Sequence, residues 1–359
     1  MASFHTFIHK QESSAAANDA LTVDVTTALC QFNSKQDVKP TFKASDTHVA
    51  LLAGDGHSGY DTCNCLTDNG VAILEETLTN GVESGMAMSQ DLCKDFEDGA
   101  MLVIARYEFS SRKIRIISVG DASCSVYQQN QLVHQQPHQD AETFMNAFPQ
   151  GICTGKNLQG EDYGTIEVKR VNYGNNTGRV QTAGKMTPAP DGLTMGFPQK
   201  PSYLRFRVEV DGKEKILAHW FASGGFVGHK GYPRLAPCVT EFVIAPGPFH
   251  VIMTSDGVSD VMHPKDALMR DGNVTALRIL DESKNRWTRG WLCNGYPNVK
   301  PSPVETVFSS DGKRIQSFQK TQQGTYKVTF YDGKQRTVTS IDETNQGADD
   351  ISVLVYKGL

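Results

Sequence analysis

The chain has 359 residues, 39% of them hydrophobic and 21% charged, and its net charge at pH 7 is −5. This is the composition of an ordinary globular protein with a hydrophobic core. A mild negative charge without a basic run argues against nucleic acid or an anionic membrane as a partner. The sequence shows no signal-peptide pattern and no apolar run near the roughly 20 residues that span a bilayer. We therefore expect a cytoplasmic protein, with the nucleus left open.

The first part of the chain alternates predicted strands with two predicted helices. The helices are an apolar-periodic segment that ends near Asn80–Gly81 and a segment over about 82–97. The strands are β-branched or apolar runs at 21–25, 49–53, 100–105 and 113–119. A polar link between the last two of these runs predicts a hairpin.

The second part of the chain is richer in turns. Residues 150–200 are rich in glycine and asparagine with weak periodicity, and we expect mostly loop or a surface insertion there. A second surface insertion is expected near 272–340. Asp-Gly pairs predict hairpin turns at 211–212, 311–312 and 332–333, and apolar runs predict strands at 249–254 and 351–356. Many hairpin-linked strands with few helices indicate an α+β fold with antiparallel sheets and helices on their outer faces.

Several acidic residues stand at the ends of predicted strands. Asp55-Gly56 and Asp256-Gly257 follow apolar strands, Asp121 follows another, and Asp349-Asp350 precedes the last strand. Rigid strands bring such side chains to one point, and an adjacent glycine permits a sharp turn. Clustered carboxylates need a cation to balance their charge, and oxygen ligands favour Mg²⁺ or Mn²⁺ over zinc. Two such ions would lower the pKa of a shared water and orient a phosphate.

An isolated Asp-Gly pair is more often an ordinary turn, and that is our interpretation of Asp311-Gly312 and Asp332-Gly333. Asp55-Gly56 differs because an apolar strand precedes it and His57 follows it. Asp256 differs because Asp260 follows one helical turn later.

These motifs occur in an order that resembles the metal-dependent protein phosphatase family (protein phosphatase 2C type, PPM), which removes phosphate from serine and threonine. The matching segments are 55–59, 99–119, 120–123, 254–262 and 348–352. The resemblance extends from about residue 18 to 356. It implies one catalytic domain over 1–359, folded as a four-layer αββα sandwich in which two packed antiparallel β-sheets are flanked by helices.

The resemblance also assigns roles to individual residues. Asp55 would bridge two Mg²⁺ or Mn²⁺ ions, and the Gly56 carbonyl would help to hold one of them. His57 would act as the general acid that protonates the leaving oxygen. The remaining metal-site residues would be Asp256 and Asp349 as ligands of the second ion, Asp121 and Asp260 at a weaker third ion, and Asp19 orienting a metal-bound water.

The implied activity is hydrolysis of phosphoserine and phosphothreonine by direct attack of a water that bridges the two metals. Phosphorylated proteins would be the substrates, and the absence of coiled-coil heptads favours a monomer. The N-terminal motif departs from the family, since Ser14 stands in place of an arginine and Asn18 in place of a glutamate. This departure favours an alternative, a catalytically impaired pseudophosphatase that acts as a binding or scaffold protein. A metal-dependent hydrolase with a different phosphate substrate also stays open.

Overall fold

A computed structural model describes the greater part of the chain. The described residues are 9–10, 23–31, 36–139, 141–148, 150, 152–156, 162–172, 179–182, 185–188, 202–210, 213–221, 226–230, 235–259, 274–289, 306–309, 314–330, 333–339, 341–344 and 350–359. The helices are α1 (Asp61–Asn80), α2 (Val82–Leu92), α3 (Ala141–Ala147), α4 (Asp256–Ser259) and α5 (Ala276–Arg289). The strands are β1 (His9–Lys10), β2 (Asp24–Cys30), β3 (Val38–Ala44), β4 (His48–His57), β5 (Gly99–Glu108), β6 (Lys113–Val119), β7 (Ser123–Gln128), β8 (Gln131–Gln135), β9 (Ile152–Lys156), β10 (Asp162–Asn172), β11 (Arg179–Thr182), β12 (Lys185–Pro188), β13 (Ser202–Val210), β14 (Lys213–Phe221), β15 (Val227–Gly228), β16 (Cys238–Val243), β17 (Phe249–Thr254), β18 (Thr306–Ser309), β19 (Arg314–Lys320), β20 (Tyr326–Phe330), β21 (Gln335–Val338), β22 (Ile341–Thr344) and β23 (Ile351–Gly358).

Two antiparallel sheets form the centre of the fold. Sheet A has the strand order β1-β2-β23-β17-β7-β8. Sheet B has the order β16-β6-β5-β4-β3, and β15 also pairs with β5. Strands from both ends of the chain lie side by side in sheet A, where β2 pairs with β23 from Asp24–Lys357 to Cys30–Ile351. The last described strand, β23, therefore lies inside sheet A between β2 and β17.

The two sheets share one hydrophobic core. Val49 and Leu51 of β4 cluster with Val251 and Met253 of β17, and all four side chains are buried. Because successive residues of a strand point to opposite faces, the alternate residues of β4 turn away from this core. One of them, Leu52, packs in a second cluster with apolar residues of α1 and α2. Sheet B therefore lies between sheet A and the α1–α2 pair.

Helix α5 packs against β2 and β23 of sheet A. The backbone N–H of Ala276 donates to Thr26 Oγ1 at 2.9 Å, and Ile279 and Leu280 are buried. The prediction of an α+β fold with antiparallel sheets and flanking helices is confirmed. The four-layer stacking order stays a prediction, with which these contacts agree.

The observed helices and strands match most of the predicted elements and differ at a few positions. Helix α1 ends at Asn80 as expected, whereas α2 ends at Leu92, before the predicted 97. The strands β13 and β14, β18 and β19, and β20 and β21, which flank the three Asp-Gly pairs in the sequence, pair antiparallel. Within 150–200, residues 152–156 and 162–172 form the paired strands β9 and β10, and residues 179–182 and 185–188 form the paired strands β11 and β12. The expectation of mostly loop is wrong for these residues, and the alternative of a surface insertion stays a prediction. The strands form because β-branched residues such as Ile152, Ile166 and Val168 favour extended backbone, even though Gly155 and Gly164 lie within them.

The remaining described strands form smaller sheets. Strands β9, β10, β13 and β14 form one with the order β14-β13-β10-β9. The segment predicted as an insertion at 272–340 contains α5 and most of a sheet with the order β21-β20-β19-β18-β22. Within the described part of the chain, no helix combines the length and apolar character needed to cross a membrane.

Candidate active site

The last residues of β4 form the centre of the candidate site. In the β4–β5 pairing, Asp55 lies opposite Met101 and His57 lies opposite Gly99. Asp55 is only 3% exposed. An apolar run therefore forms a buried strand of sheet B and ends with a carboxylate, as the sequence predicted.

Gly56 allows a neighbouring segment to approach β4 closely. A Cβ atom at this position would lie 1.9 Å from the Gln36 carbonyl oxygen and 2.5 Å from Cys63 Sγ. Because real Cβ contacts do not reach these distances, only glycine fits here without a shift of the backbone. The chain just before β3 is thereby held against the end of β4.

Asp256 begins α4, and Ser255 alone separates it from the end of β17. Its backbone N–H donates a hydrogen bond of 3.2 Å to Asp55 Oδ2. The two predicted metal ligands therefore lie next to each other, although 201 positions separate them in the sequence. This contact joins the end of sheet B to the end of sheet A.

Asp350 lies where β23 begins, and it is 1% exposed. Its Oδ2 accepts a hydrogen bond of 2.6 Å from the Gln36 backbone N–H. Ser255 Oγ donates to the Asp350 carbonyl at 3.3 Å and accepts from the Ser352 N–H at 2.9 Å. Ser352 Oγ in turn donates to the Gly54 carbonyl at 3.1 Å. These bonds bring the ends of β4 and β17 together with the start of β23.

Asp37 is a site residue that the sequence reasoning missed. Its side chain is 3% exposed and lies just before β3. Burial raises the pKa of the Cys63 thiol well above its usual value, and the Asp37 and Asp55 carboxylates raise it further. Burial likewise raises the pKa of Cys30 to about 11, with Asp350 and Asp37 adding to the rise and Lys284 opposing it. Asp37 therefore lies near Cys63 of α1 and Cys30 at the end of β2.

Asp121 follows β6 and is 8% exposed. The last β7–β17 pair is Ser123 with Thr254. Asp121 and Asp256 therefore each lie two residues beyond that pair, at the same edge of sheet A. The preceding turn is held by Gln139, whose side-chain oxygen accepts from the Gly120 N–H at 3.0 Å.

Three predicted metal-site residues, Asp19, Asp260 and Asp349, lie outside the described residues, and their roles stay predictions. Among the residues that are described, no group of three or more His, Cys, Asp or Glu side chains has the spacing of a metal site. The described acidic side chains at these strand ends are Asp37, Asp55, Asp121, Asp256 and Asp350.

His57 is half-buried and its ring nitrogen Nδ1 contacts two groups. Ser58 Oγ lies at 2.7 Å and His229 Nε2 at 3.0 Å. His229 follows β15 and was not predicted as a site residue. The ring contact places a second imidazole beside the predicted general acid.

Asp98 anchors the start of α1, the helix that follows His57 in the chain. Its carboxylate accepts hydrogen bonds from the Asp61 N–H at 2.6 Å, the Thr62 N–H at 3.1 Å and Thr62 Oγ1 at 2.8 Å. These donors lie in the first turn of α1, whose N-cap residue Tyr60 makes no side-chain cap. A carboxylate at a helix N-terminus satisfies backbone N–H groups that the helix leaves unpaired.

We expect Asp98→Ala to lower the free energy of unfolding by about 2–4 kcal/mol, because a buried carboxylate and its hydrogen bonds at a helix N-terminus are lost together. Urea unfolding followed by circular dichroism measures the change. Asp91→Ala is the matched control, since the Asp91 side chain is 75% exposed and forms an ion pair with exposed Lys94. An Asp98→Ala protein as stable as the Asp91→Ala protein would contradict the anchoring role.

The fold of this chain is similar to those of several solved phosphatase structures. No protein-family model matches the sequence, and no curated protein is significantly similar to it. The serine-threonine phosphatase 2C of Toxoplasma gondii is 10% identical, with a TM-score of 0.49 and coverage of 98% of both chains. Phosphatase Stp1 of Staphylococcus aureus is 9% identical, with a TM-score of 0.48 and coverage of 97% of this chain and 99% of that one. The PstP catalytic domain in complex with two manganese ions is 10% identical, with a TM-score of 0.42 and coverage of 93% and 97%.

The likeness is to PPM and PP2C-type phosphatases. These solved structures belong to the family that the sequence motifs resemble. At such low identity the matches concern the fold alone, and the fold itself is given by the strand pairings of sheets A and B.

Proposed function

We propose that this chain is a metal-dependent protein serine/threonine phosphatase. The observation that carries the proposal is that strand ends bearing acidic residues meet. Asp55 bonds to the backbone of Asp256, and Asp350 bonds to the backbone of Gln36, next to Asp37. These residues come from separate strands of both sheets, and most of their carboxylates are buried.

The donor chemistry at these strand ends suits hard divalent cations. The described acidic donors present oxygen atoms, and Gly56 adds a backbone carbonyl at the end of β4. Oxygen ligands are those that Mg²⁺ and Mn²⁺ prefer. We propose that Asp55, Gly56 and Asp256 hold two such ions together with Asp349, and that Asp121, Asp260 and Asp19 contribute at the periphery. When bound, the ions would supply positive charge for the phosphate and activate the attacking water.

The chain's own residues supply the rest of the proposed reaction. The carboxylates would fix the positions of the positive ions. Fixed positive charge suits a phosphoryl transition state whose negative charge is spread over several oxygens. In this proposal His57, two residues beyond Asp55, protonates the leaving serine or threonine oxygen. Water attacks phosphorus directly in this scheme, so no side chain forms a covalent intermediate.

The test is phosphate release from a phosphothreonine peptide. We expect turnover with Mn²⁺ that falls at least about 100-fold when a chelator is added and returns when Mn²⁺ is restored in excess, because the ions supply most of the electrostatic stabilisation. Turnover that the chelator leaves unchanged would contradict metal dependence. A folded protein that releases no phosphate at any Mn²⁺ concentration would favour the scaffold alternative.

A comparison of substrates separates the proposal from a hydrolase of other phosphates. The ratio kcat/KM is measured for phosphothreonine and phosphoserine peptides and for small phosphate esters with similar leaving groups. We expect the peptides to be preferred. A preference for the small esters would contradict phosphorylated proteins as substrates, while leaving metal-dependent hydrolysis in place.

A further inference from the structure

Two histidine rings from distant parts of the chain meet beside the carboxylates. His57 Nδ1 lies 3.0 Å from His229 Nε2, and 172 positions separate the two residues. The ring centroids are 5.1 Å apart and the planes are inclined by 61°. His57 therefore contacts His229 through its Nδ1 atom.

His229 is held firmly by the first residues of β5 and the segment before it. Its Nδ1 lies 3.0 Å from the Glu97 carbonyl oxygen, and its backbone N–H donates to the Asp98 carbonyl at 2.7 Å. The Phe226 ring packs edge-on at 4.5 Å. A Cβ atom at Gly99 would lie 2.2 Å from His229 Cδ2, so glycine makes room for the ring.

The backbone of His229 is itself unusual. Its φ angle is +50°, in the left-handed region that residues other than glycine rarely adopt. Such conformations persist where the surrounding contacts enforce them, and they cluster at functional sites. The same stretch of chain, residues 97–99, anchors both His229 and the α1 turn that follows His57. Residues 97–99 therefore contact both His229 and the helix start that follows His57.

The hydrogen-bond partners determine which atom donates. A carbonyl oxygen only accepts, so His229 Nδ1 carries the hydrogen in its contact with Glu97. In the neutral ring, Nε2 then offers a lone pair, and burial of His229 at 1% exposure favours the neutral form. His57 Nδ1 must consequently donate to His229 Nε2. Ser58 Oγ, 2.7 Å from the same nitrogen, can share that hydrogen as a second acceptor.

We propose that His229 is a positioning residue that holds His57 in the tautomer with the hydrogen on Nδ1, so that proton exchange with a substrate uses Nε2. The part of this proposal that concerns the substrate rests on the proposed function, in which His57 protonates the leaving group. The part that concerns the tautomer is independent of any activity. Fixing the tautomer of a functional histidine through the other ring nitrogen is a recurrent use of such partners.

Side-chain nitrogen NMR of the isotope-labelled protein tests the tautomer directly, with the His57 signals assigned from His57→Ala. We expect Nδ1 to carry the hydrogen in the unmodified protein and in Ser58→Ala, which removes only the competing hydroxyl. In His229→Phe, which keeps a ring beside Phe226 but no acceptor, we expect the hydrogen to move to Nε2. His229→Gln keeps an acceptor at a similar reach and should retain the original tautomer. An unmodified protein with the hydrogen on Nε2, or a His229→Phe protein without a change, overturns the proposal.

Kinetics test the consequence for the reaction. For His229→Phe we expect kcat on a phosphothreonine peptide to fall about 10- to 100-fold, because general-acid assistance is weakened, while KM stays within about twofold. The kcat on p-nitrophenyl phosphate should change little, since its leaving group does not need a proton. His229→Gln should restore much of the peptide activity, and His229→Phe should add little to His57→Ala.

The outcomes separate the two proposals. Equal losses on both substrates, or additive losses with His57→Ala, would show that His229 supports the fold only and overturn its positioning role. If the unmodified protein hydrolyses neither substrate, the proposed function fails, and the NMR measurement still decides whether His229 sets the tautomer. If His229→Phe does not fold, the unmodified protein and His229→Gln carry the same test.

Discussion

Asp55→Asn should lower Mn²⁺-dependent turnover of a phosphothreonine peptide by about 10³-fold or more, because a carboxylate that balances two cations is replaced by a neutral amide. The substitution changes little else. The amide oxygen of asparagine can still accept the hydrogen bond from the Asp256 N–H, which is 3.2 Å long in the unmodified protein. We therefore expect a folded protein with a normal circular dichroism spectrum and almost no activity.

The matched control is Asp46→Asn, which makes the same change of charge at an exposed position before β4. It should retain full activity. A thermal melt in chelator adds a second readout, because removing one of several neighbouring carboxylates relieves like-charge repulsion. Without metal, Asp55→Asn should melt at the same temperature as the unmodified protein or above it. Retention of most of the activity by Asp55→Asn would contradict its role at the metals.

Gly257→Ala should lower the free energy of unfolding by about 3 kcal/mol or more, because overpacking against backbone cannot be relieved by a side-chain rotation. A Cβ atom at Gly257 would lie 1.9 Å from the Asp350 carbonyl oxygen. The start of α4 and the start of β23 would have to separate. Since Asp256 and Asp350 sit on these two elements, we also expect weaker Mn²⁺ binding. Urea unfolding and a Mn²⁺ titration measure the two effects.

Gly70→Ala provides the control for the added methyl group. Gly70 lies inside α1, and a Cβ atom there would meet Thr41 Oγ1 at 3.3 Å, the far end of a small side chain. Alanine is favoured over glycine in a helix by about 1 kcal/mol. Gly70→Ala should therefore be as stable as the unmodified protein or slightly more so. Equal stability of Gly257→Ala and Gly70→Ala would show that the two strand-end segments are not tightly packed.

The sequence predicted the elements that carry the central residues. The apolar runs before Asp55 and Asp256 form buried strands of different sheets, and the two residues meet through a hydrogen bond. Apolar runs sufficed here because each is short, continuous and followed by Asp-Gly, a pattern consistent with a buried strand that ends at a turn. The stacking of the sheets on a shared core follows from the same alternation, but the pairing of β2 with β23 depends on contacts between the ends of the chain, which local patterns do not contain.

Asp37 was missed for a physical reason. It stands immediately before a strand, as Asp350 does, but Pro40 within β3 argues against a strand when only the sequence is considered. β3 lies at the edge of sheet B, where a residue without an N–H group is tolerated. A carboxylate before an edge strand is thus a signal that could have been used.

His229 left no comparable signal. It stands between glycine and lysine after a short strand, a pattern typical of a loop. Its importance arises from a ring contact across 172 positions and from a left-handed backbone. Side-chain contacts between distant segments are fixed by the assembled sheets, so this residue could be found only in three dimensions.

The most direct measurement of the central claim is Mn²⁺ binding by titration calorimetry to the unmodified protein, Asp55→Asn and Asp46→Asn. The measurement reports on the carboxylate site whatever the substrate is. We predict that the unmodified protein and Asp46→Asn bind Mn²⁺ alike, and that Asp55→Asn loses at least about 100-fold in affinity, as expected for a bridging ligand of a hard cation. Equal binding by all three folded proteins would contradict a metal centre built on Asp55.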